Sequence, residues 1–533
     1  MLVARSLLAI SALMLVLALP FLARSGRRVA PPRQETETLI VVTPHNEAVR
    51  YEIGRAFRDH MASRGRRVEV DWRALGGSAE IARYLASQYA ASFERYWTAQ
   101  LGRRWSPTVA AGFAKVLPEA TTGEAAEARR AFLASDVGSG ADLLFGGGSP
   151  EMVRHAAAGR LVDAGIMARH PELFGPGGIP QELGGQPYWD REGRWVGVCL
   201  SSFGICFNRD ALAHLGIAEP SSWQALADPV YQGQLALADP TKSGSVGTAF
   251  EMIIQSQMNR ALTEATAADS DGREDFARRE GWARAMRLIR RIGANARYFT
   301  DGSTKIPLDV STGDAAAGMC IDYYGRFQSE AAAGGGRPSR VGFLTARGEA
   351  ATNADPIGLL RGAPHRKLAV EFIEFVLSED GQKLWDFRRG TPGGPQRYTL
   401  RRLPILPRLY DHEFDVYRAD LENPYELERG FVYREAWTGP LFGAIAFVVR
   451  AMCVQTEAEL AEAYRALGVA GFPPRATALF DDLTLVDYTT VSGPLRAALQ
   501  SHEPLDEANW DIRLTRHFQR LYRQVAALAR KGL

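Results

Sequence analysis

Two adjacent phenols, Tyr323 and Tyr324, follow a short apolar run and could bind one ligand together. The run Ala315–Asp322 is typical of a strand buried on both faces, and a helical pattern follows Gly325. Neighbouring residues of a strand point to opposite faces, so the phenols share a target only where the strand breaks. Gly325 supplies such a break. The alternative is that one ring packs in the core and the other lies on the surface.

Three further turns also join a predicted strand to a predicted helix. His45–Glu47 offers an imidazole and a carboxylate, whereas Gly146–Ser149 and Lys242–Ser245 put small residues at a helix entrance, where free N–H groups attract anions. Such turns gather at the carboxyl ends of the strands in open α/β sheets. The candidate ligand-binding residues, beside the phenols, are His45, Asn46, Glu47, Gly147, Gly148, Ser149, Ser243, Gly244, Ser245 and Asp322. Together they predict a cleft for an anion, or for a hard cation with an anion beside it.

Alternating strands and helices must position these turns. Predicted strands include TLIVVT at 38–43, VEVDWRAL at 68–75 and ADLLF at 141–145, with amphipathic helices between them. The run WVGVCLSSFGICFNRD at 195–210 is long enough to belong to two sheets, and 341–360 is a candidate return passage. The sequence therefore predicts an α/β protein with two sheets joined by crossing strands.

Size and composition restrict the function classes. A chain of 533 residues exceeds what one core supports, so two or more domains are expected. The net charge is +2 with both signs mixed along the chain, and nothing in it suggests a nucleic-acid footprint. The four cysteines form neither a CxxC motif nor a zinc spacing, so no disulfide framework or structural metal cluster is predicted.

The N-terminus has the features of an export signal. Arg5 precedes an apolar run from Leu7 to Leu22, and small residues follow at Ala23 and Ser25. The pattern predicts a signal peptide at 1–25, and the alternative is an uncleaved membrane anchor. We expect the mature protein to lie in an exported, aqueous compartment.

The order of these elements resembles the periplasmic solute-binding proteins of bacterial ABC importers, in the branch that includes ferric-iron-binding proteins. The similarity runs from about Leu39 to Phe387. Its most specific phrases are W-x-x-L with P-x-Y-x-G at Trp223–Gly233 and D-P-x-x-S-G at Asp239–Gly244.

The resemblance implies a type 2 periplasmic-binding fold with a ligand cleft between two lobes. It implies a non-catalytic, monomeric receptor that hands one small ligand to a membrane permease and has no nucleic-acid partner. The expected division is lobe one at 36–204 and 343–396, with a helical insertion at about 86–132; lobe two at 205–342; and a mainly helical C-terminal extension at 397–533.

The resemblance also implies a metal set of His45, Tyr323 and Tyr324 for Fe³⁺, with a synergistic anion at Ser243–Ser245. Ferric iron is a hard ion, and phenolate oxygen suits it. The family's glutamate ligand is missing, because glycines occupy Gly146–Gly148 where it is expected, and their N–H groups suit an oxyanion better. Glu47 or Asp322 could replace it, although Asp322 alternates away from Tyr323 in a regular strand.

Other functions stay open. Relatives with this fold take phosphonates, polyamines, thiamine or sulfate, and fold alone does not choose among them. A membrane-anchored sensor would account for the long region after Arg397. An exported hydrolase is disfavoured because the sequence has neither G-x-S-x-G nor HExxH.

Overall fold

The computed structural model describes residues 36–118, 121–265, 272–333, 339–427, 431–501 and 503–533. The predicted leader at 1–25 lies outside these residues, so its cleavage or retention stays a prediction.

Fourteen strands are present in the described residues: Glu37–Val42 (β1), Val68–Arg73 (β2), Leu143–Phe145 (β3), Leu161–Val162 (β4), Glu182–Leu183 (β5), Gln186–Pro187 (β6), Trp195–Ser201 (β7), Phe203–Asn208 (β8), Leu235–Ala238 (β9), Ala296–Thr300 (β10), Ala317–Ile321 (β11), Val341–Thr345 (β12), Asn353–Leu360 (β13) and Leu403–Pro404 (β14).

The α-helices fall into two groups along the chain. The first group is Glu47–Ser63 (α1), Ser78–Arg95 (α2), Pro107–Gly112 (α3), Glu124–Leu133 (α4), Ser149–Ala157 (α5), Ile166–Arg169 (α6), Arg209–Leu215 (α7), Gly244–Glu264 (α8), Arg273–Ala294 (α9), Lys305–Thr312 (α10), Asp322–Ala332 (α11), Arg366–Leu377 (α12) and Glu379–Asp386 (α13). The C-terminal group is Pro424–Leu427 (α14), Glu435–Thr438 (α15), Phe442–Val449 (α16), Glu457–Val469 (α17), Pro474–Phe480 (α18), Tyr488–Thr490 (α19), Arg496–Gln500 (α20) and Pro504–Ala529 (α21).

The strands build two large sheets, one in each lobe. The first has the order β14-β7-β13-β3-β1-β2, with β4 beside β13, and the second has the order β10-β9-β11-β8-β12. In the first sheet β1 is parallel to β2 and β3; in the second, β9 is parallel to β10 and β11. Both sheets therefore carry strand-to-helix turns at their carboxyl edges, as the sequence predicted.

Two passages join the lobes. β7 lies in the first sheet and β8 in the second, with Ser202 between them, so the predicted crossing of 195–210 is confirmed. Every residue of β7 and β8 is buried, which explains why the run is continuously apolar instead of alternating. The return passage runs from β12 in the second sheet to β13 in the first. The fold is thus two-lobed α/β.

The predicted extension at 397–533 is not packed as one unit. β14 pairs with β7 and so completes the edge of the first sheet. The later C-terminal helices share one core with α8 and α9 of the second lobe, through side chains such as Trp282, Phe480 and Tyr522. The lobe boundaries at 204 and 342 stay a prediction.

The helices of the predicted insertion at about 86–132 pack onto the first lobe. Tyr89, Phe93 and Trp97 share a core with Val42 and Leu144 of the first sheet. Among the described residues, one helical stretch is long and apolar enough for a membrane span. It is Glu435–Val454, and most of it is buried inside the protein.

Candidate functional site

The phenol pair lies on a helix rather than at the end of a strand. β11 ends at Ile321 and α11 begins at Asp322, which corrects the prediction that the helix starts only after Gly325. Successive residues of a first helical turn diverge less than those of a strand, and the two rings lie 4.2 Å apart between centroids. Tyr323 and Tyr324 can therefore act together. Burial raises the pKa of both phenols.

Asp322 has a structural partner at the crossing between the lobes. Its Oδ2 accepts hydrogen bonds from Ser202 N (3.0 Å) and Ser202 Oγ (3.3 Å), and its Oδ1 accepts one from Tyr323 N (2.8 Å). Ser202 Oγ also lies 3.0 Å from Thr345 Oγ1, at the end of β12. The carboxylate therefore joins both interlobe passages to the start of α11. Burial raises the pKa of Asp322 to about 6.

His45 is buried at the carboxyl end of β1. Its backbone N–H donates to Thr43 Oγ1 (3.1 Å), whose hydroxyl donates to Phe145 O (2.7 Å), so β1 and β3 fix its position together. Gly146, at φ +94°, could not be alanine without strain, because a Cβ there would lie 2.6 Å from His45 Cε1. Burial lowers the pKa of His45 to about 4, so the imidazole is neutral at pH 7.

Asp355 lies beside His45 and pairs with Arg402, and sequence reasoning missed both residues. Arg402 Nη2 donates to Asp355 Oδ2 (2.6 Å) and to Ser201 Oγ (3.0 Å), and His45 Nδ1 lies 3.9 Å from Asp355 Oδ2. Burial alone would raise the pKa of Asp355, but the Arg402 guanidinium and His45 hold it below the ordinary value. Neither residue lies in a motif or a recognisable turn, so no local signal marked them.

Arg402 also meets the second lobe. Its guanidinium carbon lies 4.2 Å from the centroid of the Tyr323 ring and 5.6 Å from that of Trp385. His45 and Arg402 on one wall and Tyr323 on the other thus converge between the lobes. At the rim, Arg326 of α11 forms ion pairs with Asp420 and Glu422, and Arg401 pairs with Asp420 (2.6 Å).

The remaining predicted residues lie at different places around this centre. Asn46 caps α1 by accepting from Val49 N (3.1 Å), and both Asn46 and Glu47 are exposed. Gly148 N donates to Asp355 Oδ1 (3.3 Å), and Ser149 Oγ donates to Ala354 O (3.2 Å). The glycine loop therefore helps to fix the position of the Asp355 carboxylate. Gly147 has φ +102° and lies in the same loop.

The predicted serine entrance forms a hydroxyl chain in lobe two. Ser243 Oγ lies 3.3 Å from Ser245 Oγ, which lies 2.9 Å from Ser303 Oγ, and Gly244 begins α8. These turns follow β9 and β10, whereas the phenols follow β11, next to β9 in the sheet. The serine chain and the phenols therefore lie on neighbouring turns of one sheet edge. Across the described ranges, no group of three His, Cys, Asp or Glu side chains is placed to hold a metal ion.

Acid should weaken the fold through His45. A histidine with a pKa lowered from 6.5 to about 4 in the folded state gives stability that is present above pH 6.5 and lost as the pH falls through about 4. A shift of that size is worth about 3 kcal/mol. Between pH 7 and pH 4 the wild type should therefore lose about 3 kcal/mol more unfolding free energy than His45→Gln, measured by urea denaturation. Parallel losses in both proteins would mean that His45 is not buried in neutral form.

Comparison with known proteins finds a family model, a relative and solved structures to which this chain is similar. Residues 144–400 match the family described as bacterial extracellular solute-binding protein. A curated relative, the phosphoglycerate transport regulatory protein PgtC of Salmonella typhimurium, is 24% identical over 189 residues, which cover 36% of this chain. The aligned region spans only 40% of that relative's length.

Two solved structures illustrate the similarity in fold. The periplasmic binding protein AfuA from Actinobacillus pleuropneumoniae, with fructose-6-phosphate bound, has a TM-score of 0.46 and 14% identity over 81% of this chain and 98% of its own. Iron-bound HitA from Pseudomonas aeruginosa has a TM-score of 0.39 and 17% identity, covering 65% and 83% of the two chains. The two sheets and the two passages between them form the two-lobed α/β architecture that the sequence predicted.

Proposed function

We propose that this chain, whose residues 144–400 match the family described as bacterial extracellular solute-binding protein, captures one small solute between its lobes and delivers it to the permease of an ABC importer. The observation that carries this proposal is the meeting of buried polar groups from both lobes. His45 lies beside Asp355, Asp355 pairs with Arg402, and Arg402 contacts Tyr323 of the other lobe.

The connection between the lobes supports a closing motion. Two extended passages join them, and the hydrogen bonds of Asp322 to Ser202 and Tyr323 tie the crossing to the helix that carries the phenols. Domain closure is absorbed by a few residues at the ends of elements, and Ser202 occupies such a position. A ligand that contacts both walls favours the closed state by its differential affinity.

The solute is a hard or anionic one, and two candidates follow from the site. Ferric iron is favoured by His45 on one lobe and by the two side-by-side phenols on the other lobe. An oxyanion is favoured by the Arg402 guanidinium over Tyr323. A trivalent ion about 5 Å from that guanidinium would be repelled by roughly 10 kcal/mol at an effective dielectric constant of about 20, which phenolates and Asp355 would have to offset. We therefore favour the oxyanion.

The C-terminal helices are relevant to the kind of membrane protein that this chain contacts. PgtC is described as a transport regulatory protein, and the C-terminal helices of this chain enlarge the second lobe well beyond a ligand cleft. A periplasmic receptor that reports to a membrane sensor is therefore the second candidate function. Importer delivery and sensing share the same first step, which is ligand capture.

The proposal is tested by asking what the protein retains and how it moves. We expect native mass spectrometry and elemental analysis of protein purified without added metal to find one small solute per chain. Small-angle scattering should then show a smaller radius of gyration with that solute than after its removal. Bound iron would give a visible phenolate colour that Tyr323→Phe weakens. A protein that holds no solute and keeps one radius under all conditions would contradict ligand capture.

A further inference from the structure

Arg402 lies where the two lobes close on each other, and it has unused hydrogen-bonding capacity. We propose that Arg402 receives the oxyanion group of the solute, and that the solute is a small organic acid bearing a phosphate or carboxylate. This assignment rests on the proposed function and specifies its ligand class. Arg402 lies two residues beyond the segment that matches the family model, 144–400.

The hydrogen bonds of Arg402 are only partly used. The side chain is 1% exposed, and its Nη2 serves both Asp355 and Ser201. Among the residues that the structure describes, its Nε and Nη1 have no hydrogen-bond partner, and neither does His45 Nε2. Buried polar atoms of proteins are nearly always satisfied. Three such atoms around one ion pair indicate that a bound solute supplies the missing hydrogen-bond acceptors.

The charge of the surroundings also selects an anion. The charges of Arg402 and Asp355 balance each other, and His45 lies buried beside Asp355. What remains are guanidinium N–H groups, and a guanidinium can only donate hydrogen bonds. α5 and α11 both begin next to this centre, after the glycine loop and at the phenols, so the positive ends of their dipoles favour negative charge there.

The position of Tyr323 explains how such a group would enter and be held. Its ring covers the guanidinium from lobe two at 4.2 Å, while Asp355 and Ser201 hold it from lobe one. Separation of the lobes removes the ring and exposes Nε and Nη1. Closure then places the bound oxyanion beside Tyr323, so both walls contact it. Phosphate and carboxylate oxygens match the planar guanidinium equally well, and experiment must distinguish them.

The test is calorimetric titration of the ligand-stripped full chain. The titrants are inorganic phosphate, 3-phosphoglycerate, a panel of three- to six-carbon carboxylic and phosphorylated acids, and glucose as a neutral control. We expect at least one organic acid to bind and glucose not to bind. Free phosphate binding as tightly as its esters would identify the inorganic ion as the solute and overturn the organic class. Arg402→Gln should weaken binding of the acid by about 30-fold, the loss expected for a charge-assisted hydrogen bond.

Two further variants make the result specific. Arg402→Lys keeps the charge but loses the planar fork, so it should lie between wild type and Arg402→Gln. Arg408→Gln, on the same segment but 59% exposed in its side chain, should bind like the wild type. Thermal unfolding of each variant confirms that it is folded, and Arg402→Lys keeps the test valid if Arg402→Gln does not fold.

Several outcomes would overturn the assignment. They are equal affinity in Arg402→Gln and wild type, no binding of any acid in the panel, and bound iron that survives Arg402→Gln. In each of these cases a solute found by native mass spectrometry, with lobe closure in scattering, would leave the proposed function intact. Absence of both solute and closure would instead contradict the proposed function itself.

Discussion

Replacing Arg290 with alanine should lower the free energy of unfolding by about 4 kcal/mol, because it removes a fully buried cation that holds the C-terminal helices to the second lobe. Arg290 lies on α9 and is 0% exposed. Its Nη1 donates to Phe480 O and its Nη2 to Asp482 O (2.9 Å). The guanidinium carbon also lies 5.4 Å from the Phe518 ring and 5.9 Å from the Tyr522 ring, both on α21.

The loss has two parts that a second variant separates. Alanine leaves a cavity and two carbonyls without their donors, whereas Arg290→Met fills much of the volume and leaves only the carbonyls without donors. Arg287→Ala is the matched control, since Arg287 is partly exposed on the same helix and makes one 3.3 Å bond to Asp481 O. Urea unfolding followed by tryptophan fluorescence should show a loss below about 1 kcal/mol for Arg287→Ala. Equal losses for Arg290→Ala and Arg287→Ala would contradict the buried-cation account.

The Arg290 contacts show why the C-terminal region should not unfold separately from lobe two. Trp282 of α9 donates to Val486 O (2.8 Å), and Tyr464 of α17 donates to Ala227 O (2.6 Å). Apolar residues from 203 to 529 form one continuous core. Cooperative unfolding follows from a shared core, so truncation before the C-terminal helices would expose the apolar surface of α8 and α9.

Much of the fold was predictable because local patterns agree with it. The stretch TLIVVT forms most of β1, and the crossing run forms β7 and β8. An apolar stretch twice the length of a single strand is readily interpreted as two consecutive buried strands. The four strand-to-helix turns also lie at the carboxyl edges of the two sheets. Periodicity and helix-entrance residues are local signals, and the helices and strands follow them.

The candidate site was less predictable because its contacts are long-range. Arg402 meets Asp355 from 47 positions away and Tyr323 from the other lobe, and neither Arg402 nor Asp355 lies in a recognisable motif. The start of α11 was also misplaced, because an apolar run gives no sign that Asp322 ends the strand by bonding to Ser202 N. Such tertiary hydrogen bonds decide boundaries that propensity leaves open.

The position of Arg402 in the sequence also gave no indication that this residue packs onto the first lobe. It follows Arg397, in a polar stretch that the sequence places outside both lobes, yet β14 brings that stretch back to the first sheet. What anchors the stretch is a single carboxylate on α1. Glu52 is 0% exposed and accepts hydrogen bonds from the backbone N–H groups of Gln396 (2.9 Å), Arg397 (2.5 Å) and Tyr398 (2.8 Å).

Glu52→Ala should therefore cost about 4 kcal/mol of unfolding free energy and weaken acid binding as well. Three backbone N–H groups lose a charged acceptor, and each such bond is worth about 1.5–3 kcal/mol before the loop relaxes. Glu52→Gln keeps one acceptor oxygen and should lose about half as much, whereas Glu47→Ala, exposed on the same helix, should change stability by less than about 0.5 kcal/mol. Urea unfolding measures the stability, and calorimetry of folded Glu52→Gln measures the binding.

The effect on binding follows from the position of Glu52, which holds the chain only a few residues before Arg402. Its loss should let the Arg402 guanidinium move and should therefore lower the affinity for the acid without abolishing binding. Unchanged stability in Glu52→Ala would show that the 396–398 turn is held by other contacts.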